Sequence, residues 1–274
     1  GKFAAFMLNE EADKLISLKS DINALFNSPV LGYNSKDDIV YQFWANRDSH
    51  EVYYFDPKTD YAPTTAISSI SWDDPNFPNI EGFGVWAAKC NFTMGPDGKM
   101  YSRMLGGNLV RIDVENARGE NLTNGDLVGT KDGSAYGLVF DPQDENVFYF
   151  SNNDCIYKYD LRTKECACWA GQEGKSGYLD GPIGQAMFNK PGQMCVDSEG
   201  NIILTDTENH CIRKITMSTG YVSTLAGKPQ NSGYVNGSAE DAQFKKPLGI
   251  CIDNDDVMYI GDSENRAIRR LAVE

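Results

Sequence analysis

Residues 177–213 read GYLDGPIGQAMFNKPGQMCVDSEGNIILTDTENHCIR, and residues 233–269 read GYVNGSAEDAQFKKPLGICIDNDDVMYIGDSENRAIR. The second stretch repeats the first 56 residues further along the chain, from Gly177 to Gly233, with matching glycine, phenylalanine, proline, aspartate and arginine positions. A period of this length is typical of repeat architectures, in which each unit packs against its neighbours. The chain is therefore expected to be an array of similar units.

One copy of the repeat contains four short apolar runs separated by turn residues. The runs are Gly192–Asp197, Asn201–Asp206, Cys211–Thr216 and Tyr221–Leu225. Short runs bounded by Asp, Asn, Ser and Gly predict β-strands joined by tight turns. Four antiparallel strands per repeat describe one blade of a β-propeller.

The period extends towards the N-terminus. A further shift of 56 residues places Asp141 on Asp197 and Cys155 on Cys211, with no gap from Asp141 to Gly171, which predicts a third blade. Less regular runs predict more blades upstream, at Phe92–Met94, Lys99–Ser102 and Leu109–Asp113, at Ile39–Trp44 and Glu51–Phe55, and at Phe3–Leu8 and Lys14–Leu18. The predicted fold is all-β, a single six-bladed propeller of four-stranded antiparallel blades over residues 1–274, clearest at residues 137–171, 192–227 and 248–274.

The last blade lacks its outer strand. Its runs are Leu248–Asp253, Val257–Asp262 and Ala267–Leu271, and only three residues follow them. Propellers commonly hide such edges by completing one blade with strands from both ends of the chain. We expect residues near Gly1–Phe6, or a segment upstream of this chain, to supply the strand.

The length and net charge of the chain limit which folds and partners are consistent with the sequence. The 274 residues exceed the usual size of a single hydrophobic core, which a ring of separately packed blades accommodates. The net charge of −14 is spread along the chain, which disfavours nucleic acid and anionic membrane surfaces as partners. No uninterrupted apolar run reaches the roughly 18 residues of a membrane span, so no membrane-spanning segment is predicted.

Cysteine and histidine usage bears on chemistry. Most of the seven cysteines are interpreted as small buried hydrophobes with free thiols, and Cys166 and Cys168 flank Ala167 in a geometry poor for a disulfide between them. The two histidines, His50 and His210, lie in polar turns. A histidine-based catalytic triad or a three-histidine zinc site is hard to build from two such residues. No catalytic residues are predicted.

The repeat resembles a known family. The patterns Ala186-X-Phe-X-X-Pro191, Asp197-Ser-Glu-Gly-Asn201, Asp206-Thr-X-Asn-His-X-Ile-Arg-Lys214 and Val222-Ser-Thr-Leu-Ala-Gly227 are similar to consecutive parts of an NHL repeat. The match is strong over residues 178–270, fair over 137–171 and faint before residue 91. The resemblance implies a six-bladed propeller. The Gly-Tyr-X-Asp-Gly linker resembles cell-envelope NHL proteins of gut Bacteroidetes, in which an immunoglobulin-like domain often precedes the propeller, so a cell-envelope location, periplasmic or at the cell surface, is implied.

An insertion between blades is the first candidate site. Residues 68–86 interrupt the repeat and carry aromatic and acidic side chains, which suit sugar rings because CH faces stack while hydroxyls form hydrogen bonds. The alternative is that these aromatics are wedges between blades. Tyr178 and Tyr234 lie in analogous loops and could join the same face. Because both recur with the repeat, a structural role is the favoured interpretation for them. The predicted ligand-binding residues are Trp72, Asp73, Asp74, Phe77, Trp86, Tyr178 and Tyr234, and the expected partner is a glycan, another small ligand such as a nutrient, or a protein.

Recurring carboxylates are the second candidate. Asp141, Asp197 and Asp253 end the innermost strands, where a ring of them could hold Ca²⁺ and support a metal-dependent hydrolase or lactonase. Each precedes a turn sequence, so turn capping is the favoured interpretation. Asp206 and Asp262 are likewise expected to bond their own turn backbone. No cofactor is expected under the favoured hypothesis of a non-catalytic binding protein, and Ca²⁺ belongs to the alternative.

Overall fold

The computed structural model describes residues 5–8, 15–18, 30–34, 36–43, 52–59, 61–68, 70–73, 92–103, 108–123 and 137–272. These residues form β-strands, turns and the single 3-10 turns Pro57–Thr59, Thr207–Asn209 and Ser263–Asn265, so the fold is all-β as predicted. The chain divides into two compact units, residues 1–125 and 126–274. No helix in the described ranges is long and apolar enough to span a membrane.

The described residues of the first unit form two sheets. One is a pair, β1 (Ala5–Leu8) with β2 (Leu15–Leu18). The other joins two antiparallel groups of four strands through a parallel pairing of β3 with β8, and adds β7 beside β11. Its strands are β3 (Val30–Asn34), β4 (Ile39–Phe43), β5 (Val52–Phe55), β6 (Pro63–Ile67), β7 (Ser71–Trp72), β8 (Phe92–Met94), β9 (Met100–Arg103), β10 (Leu109–Asp113) and β11 (Arg118–Asn121).

The second unit contains three sheets at the repeat spacing. The first repeat sheet is β12 (Leu138–Phe140), β13 (Val147–Asn152), β14 (Cys155–Asp160) and β15 (Cys166–Gly171). The second repeat sheet is β16 (Gly181–Pro182), β17 (Pro191–Val196), β18 (Ile202–Asp206), β19 (Cys211–Thr216) and β20 (Tyr221–Ala226), with β16 beside β20. The third repeat sheet is β21 (Pro247–Ile252), β22 (Met258–Asp262) and β23 (Ala267–Leu271).

The repeat sheets of the second unit pack face to face. Ile202 and Leu204 of β18 contact a cluster that includes residues of the first repeat sheet, whereas Ile203 points to the opposite face and contacts the third. Strand alternation produces this division, because successive side chains leave opposite faces. Phe188 and Phe244, at equivalent repeat positions, fill the two interfaces and are at most 2% exposed. The second repeat sheet is therefore buried on both faces.

Most strands lie where the apolar runs predict them, to within one or two residues at each end. The sequence did not predict β3, β6, β7, β11 and β16. Residues 71–72 belong to a strand, although the sequence suggested a loop there. The third repeat sheet has three described strands, and the expected closure by the N-terminus is not found for Ala5 and Phe6, which pair with Leu18 and Ser17. Gly1–Ala4 lie outside the described residues.

Candidate functional site

The short strand β7 is fixed by one aromatic side chain. Trp72 pairs in parallel register with Gly119 of β11, and its indole packs against the core cluster that contains Met100 and Val110. A Cβ at Gly119 would lie 2.5 Å from the indole ring, so only glycine leaves room for the ring at this position. The neighbouring residues Ser71 and Asp73 donate their backbone N–H groups to Ala117 and Gly119 carbonyls at 2.9 and 3.0 Å. Trp72 therefore anchors the segment to the sheet.

The opposite face of the same sheet carries a row of charges. In the antiparallel register, Arg111 of β10 lies across from Glu120 of β11, and Asp113 lies across from Arg118. These side chains alternate with core residues such as Val110 and Ile112, so they share the face that does not carry the core. The row is therefore held on rigid strands.

An open pocket of about 420 Å³ lies where β7 borders this row. Its lining holds three basic and three acidic side chains, with Ser71, Trp72 and Gly119 at its wall. The charged lining residues are Lys99, Arg111, Arg118, Asp73, Asp113 and Glu120. The arrangement presents hydrogen-bond donors and acceptors of both signs to one small volume.

Most of these charges are engaged with each other. The guanidinium of Arg111 forms a hydrogen-bonded ion pair with Glu120, and Lys99 lies 3.7 Å from Asp113. Hydrogen bonds from Asn116 hold the pKa of Asp113 below its usual value despite partial desolvation. Burial lowers the pKa of Arg111, but the contacts with Tyr101 and Glu120 outweigh burial and raise it overall. Both groups are therefore charged across the neutral range.

Arg118 differs from the other two cations of the pocket. It is exposed on β11, and no ion pair or hydrogen bond joins its guanidinium to another described residue. Asp73, by contrast, accepts a hydrogen bond from the backbone N–H of Asn121 at 3.1 Å. Arg118 is therefore the cation of this pocket that is available to a ligand.

The predicted site residues are distributed over three places. Trp72 and Asp73 are at the pocket, with the indole of Trp72 packed in the core. Asp74, Phe77 and Trp86 lie outside the described residues. Tyr178 and Tyr234 lie in the second unit, at equivalent positions of the repeat.

Tyr178 and Tyr234 each cover a buried arginine. The guanidinium carbon of Arg213 lies 4.9 Å from the centre of the Tyr178 ring and 5.1 Å from that of Phe188. Arg269 lies 5.0 Å from both Tyr234 and Phe244. Such cation–π contacts stabilise a desolvated guanidinium. Both tyrosines thus have a structural contact that recurs with the repeat.

The two arginines hold the loops that precede β17 and β21. Arg213 donates to the carbonyls of Met187 and Leu179 at 3.1 and 2.9 Å, and to Asp206 and Asp180 at 2.6 and 2.7 Å. Equivalent bonds in the third repeat sheet run from Arg269 to the Gln243 and Val235 carbonyls, Asp262 and Asn236.

The aspartates at the end of β18 and β22 complete these clamps. Asp206 accepts hydrogen bonds from the Asn209 side chain and the Asn189 backbone N–H, both at 2.8 Å, in addition to Arg213. Asp262 accepts from the Asn265 side chain, the Lys245 backbone N–H and Arg269. The expectation that they bond their own turn backbone was wrong, because their partners are an arginine, an asparagine side chain and a backbone N–H just before β17 or β21.

The aspartates considered for Ca²⁺ act in turns. Asp197 accepts from the Asn201 backbone N–H at 2.7 Å and from Lys214 at 2.9 Å. The equivalent side chains of Asp141 and Asp253 accept from turn N–H groups and from the hydroxyls of Tyr149 and Tyr259. Among the described residues no group of three or more His, Cys, Asp or Glu is arranged to hold a metal ion. These contacts support the turn-capping interpretation.

Sequence reasoning missed Lys99, Arg111, Arg118 and Glu120. Their alternation with apolar residues along β10 and β11 was a usable signal, because Arg111 and Asp113, and Arg118 and Glu120, are each two residues apart. No local pattern in the sequence indicated that β7 would lie near β10 and β11. This proximity depends on the fit of Trp72 over Gly119, which arises from tertiary packing.

The NHL repeat model matches residues 188–215, which cover β17, β18 and most of β19. Residues 188–215 form an NHL repeat. The 56-residue period places an equivalent segment at residues 244–271, which forms the third repeat sheet. The resemblance predicted from the sequence is thereby confirmed.

Two curated proteins are similar to this chain in sequence. Protein SUPPRESSOR OF QUENCHING 1, chloroplastic, of Arabidopsis thaliana is 25% identical over an alignment of 270 residues that covers 91% of this chain and 25% of the relative. NHL repeat-containing protein 2 of Gallus gallus is 30% identical over 151 residues, 54% of this chain and 19% of the relative. The chain therefore spans a quarter or less of the length of these relatives.

Solved structures show the fold. A protein of unknown function from Bacteroides thetaiotaomicron superimposes with a TM-score of 0.78 at 23% identity, over 96% of this chain and 62% of that one. An auxiliary nutrient binding protein from the same species superimposes with a TM-score of 0.73 at 22% identity, over 97% of this chain and 63% of that one. At this identity the likeness concerns the fold alone, which is β-propeller-like.

Proposed function

We propose that this chain is a non-catalytic binding protein that takes a small polar ligand, a glycan, in the charged pocket beside Trp72. The observation that carries the proposal is that acidic and basic side chains of strands β10 and β11 line one pocket together with Asp73 of the anchored segment. Carboxylate and guanidinium groups form paired, directional hydrogen bonds, and vicinal sugar hydroxyls match that geometry.

The pocket favours binding over catalysis. Lys99 and Arg111 are paired with Asp113 and Glu120, and Asp113 and Arg111 have pKa values shifted away from neutrality. A general acid or base needs a pKa near the working pH. Placement on strands also reduces the ordering that a ligand must induce on binding. The arrangement is therefore better suited to a binding site with fixed charges than to acid–base catalysis.

Trp72 has an indirect role in this proposal. Its indole holds β7 in place, so that Ser71 and Asp73 form one wall of the pocket. Asp74, Phe77 and Trp86 remain candidates for additional contacts, and Tyr178 and Tyr234 for a separate contact in the second unit. Arg118 supplies the cation that a carboxylate of an acidic sugar would meet.

The wider proposal is a six-bladed NHL propeller located in the cell envelope, with a further domain upstream of this chain. Support comes from the repeat, from the auxiliary nutrient binding protein of Bacteroides thetaiotaomicron, and from the share of that chain, 63%, that this chain covers. The ligand would then be a nutrient glycan. The test must distinguish this ligand from the alternative, a partner protein that binds around the same pocket.

The experiment is a glycan array of neutral and uronate-containing oligosaccharides, followed by calorimetric titration of the strongest ligand. Arg118→Ala should weaken binding by about tenfold or more, since a hydrogen bond to a charged group contributes about 1.5–3 kcal/mol. The matched control is Arg270→Ala, which removes an exposed arginine from β23. Equal affinities of wild type and Arg118→Ala would overturn the site. Absence of any glycan ligand would favour the partner protein.

A further inference from the structure

Two cysteines of the first repeat sheet are in direct contact. The sulfur atoms of Cys155 on β14 and Cys168 on β15 lie 2.9 Å apart, whereas a disulfide bond is about 2.0 Å long. The register of the two strands shifts between Ile156 and Tyr157, which brings these residues onto a diagonal. A movement of less than 1 Å would bring the sulfur atoms to bonding distance.

The repeat shows that this pair is particular to the first repeat sheet. Cys155 corresponds to Cys211, but the position of Cys168 is held by Thr224 in the second repeat sheet. There, the hydroxyl of Thr224 forms a hydrogen bond with Tyr178 at 2.8 Å. In the second repeat sheet this strand position is therefore held by a threonine, whose hydrogen-bond partner is a tyrosine and not a cysteine.

The first repeat sheet also lacks the arginine clamp. Phe150 and Tyr157 occupy the positions of Asp206 and Arg213, and their rings stack at 5.5 Å. Among the described residues, no buried ion pair therefore fastens β14 in this sheet. A covalent link between β14 and β15 would supply a fixed connection of another kind.

We propose that Cys155 and Cys168 form a disulfide bond when the chain meets a disulfide oxidant, either a small molecule or an oxidising protein. The Cys168 thiolate attacks one sulfur of the oxidant, forming a mixed disulfide and releasing one thiol. Cys155 then attacks the Cys168 sulfur and releases the second thiol. Two cysteine thiols are oxidised, and the oxidant disulfide is reduced to two thiols.

Exposure and charge agree with this order of events. Cys168 is partly exposed and Cys155 is buried, so the oxidant meets Cys168 first. The contact with Cys155 lowers the pKa of Cys168, and the same contact together with burial raises the pKa of Cys155. A low pKa and access are what make a cysteine reactive. Both thiols are free in the structure, as expected from the sequence, and the disulfide is proposed for oxidising conditions, independently of the proposed ligand site.

The test is peptide mapping of the whole chain after incubation with oxidised glutathione and blocking of free thiols. Trypsin places Cys155 in residues 132–158 and Cys168 in residues 165–175, which also contain Cys166. The expected product joins these two peptides, in wild type and in Cys166→Ser but not in Cys168→Thr. Oxidation should raise the melting temperature of wild type and Cys166→Ser by several degrees, and that of Cys168→Thr should not change.

Cys168→Thr reproduces the residue found at the equivalent position of the second repeat sheet, which makes it a suitable variant. Two results would overturn the proposal. One is that the thiol-blocking reagent modifies both cysteines completely in wild-type protein that has been incubated with oxidised glutathione. The other is a stable glutathione adduct on Cys168 that never resolves to the intramolecular bond.

Discussion

The guanidinium of Arg213 donates to the carboxylate of Asp206 over 2.6 Å, and both side chains are completely buried. This pair ties the loop at Leu179 and Met187 to the second repeat sheet. Removing one member would leave the other charged group buried without its counter-ion, which typically costs about 3–5 kcal/mol. Arg213→Ala should therefore lower the free energy of unfolding by that amount in urea titrations.

The control for this prediction is Arg162→Ala. Arg162 pairs with Asp160 and Asp144 at 2.7 Å, but its side chain is 54% exposed. Exposed pairs typically contribute about 0.2–1 kcal/mol. If Arg213→Ala cost no more than Arg162→Ala, the clamp would not be a stabilising element.

The same carboxylate predicts a pH dependence. Burial raises the pKa of Asp206 to about 6, against the opposing effects of Arg213, Asn209 and the Asn189 N–H. In the unfolded chain an aspartate titrates near about 3.9, so between these values the folded state holds a proton that the unfolded chain has lost. The contribution of Asp206 to stability is thus fully present below pH about 4 and is lost as the pH rises through about 6.

Asp206→Asn isolates this effect because asparagine does not titrate. The difference in the free energy of unfolding between wild type and variant, measured in urea at several pH values from 4 to 7, should narrow as the pH rises. A difference that widens with rising pH would mean that the folded state favours the ionised carboxylate.

The contact of Trp72 with Gly119 predicts a double-mutant result. Gly119→Ala places a methyl group about where the indole lies, and such overpacking typically costs about 1–3 kcal/mol. In a Trp72→Ala background the added methyl has room, so the same substitution should cost little. Thermal or urea unfolding of the four proteins measures the coupling. Gly184→Ala is the control, since no atom lies within 4 Å of its Cβ position, and equal costs of Gly119→Ala in both backgrounds would disprove the anchor.

The turn contacts of Asp141, Asp197 and Asp253 predict insensitivity to calcium. Their oxygens already accept hydrogen bonds from turn N–H groups and from Tyr149, Lys214 or Tyr259. Thermal unfolding with chelator and with added Ca²⁺ should give the same midpoint. A chelator-sensitive shift of several degrees would reveal a native-state metal site and would favour the lactonase-type enzyme.

Local sequence pattern predicted the repeat sheets well. Apolar runs between turn residues gave β17 to β23 almost to the residue, because the strands are short and most of them begin or end next to Gly, Asp or Asn. The partners of Arg213 could not be predicted in the same way. Asp180 lies 33 residues away, and its proximity depends on how the loop that precedes β17 folds over Phe188.

Of the residues that line the candidate pocket, only Trp72 and Asp73 were named from the sequence. Asp73 was identified from the break in the repeat, and Trp72 was identified as a stacking surface, although its indole packs in the core. The opposing wall comes from β10 and β11, 38 or more residues further along, and only the long-range pairing of β7 with β11 brings it near. Contacts of this kind depend on side-chain fit, which no local pattern records.

The most direct test of the central claim is a chemical-shift titration of the isotope-labelled chain with the oligosaccharide selected on the array. Saturable shifts are expected for the backbone N–H groups of Asp73, Arg111 to Asp113 and Arg118 to Glu120, which surround the pocket. The same titration of Arg118→Ala should require a higher ligand concentration. Saturable shifts confined to the loops around Tyr178 and Tyr234, with none on β10 or β11, would contradict the account.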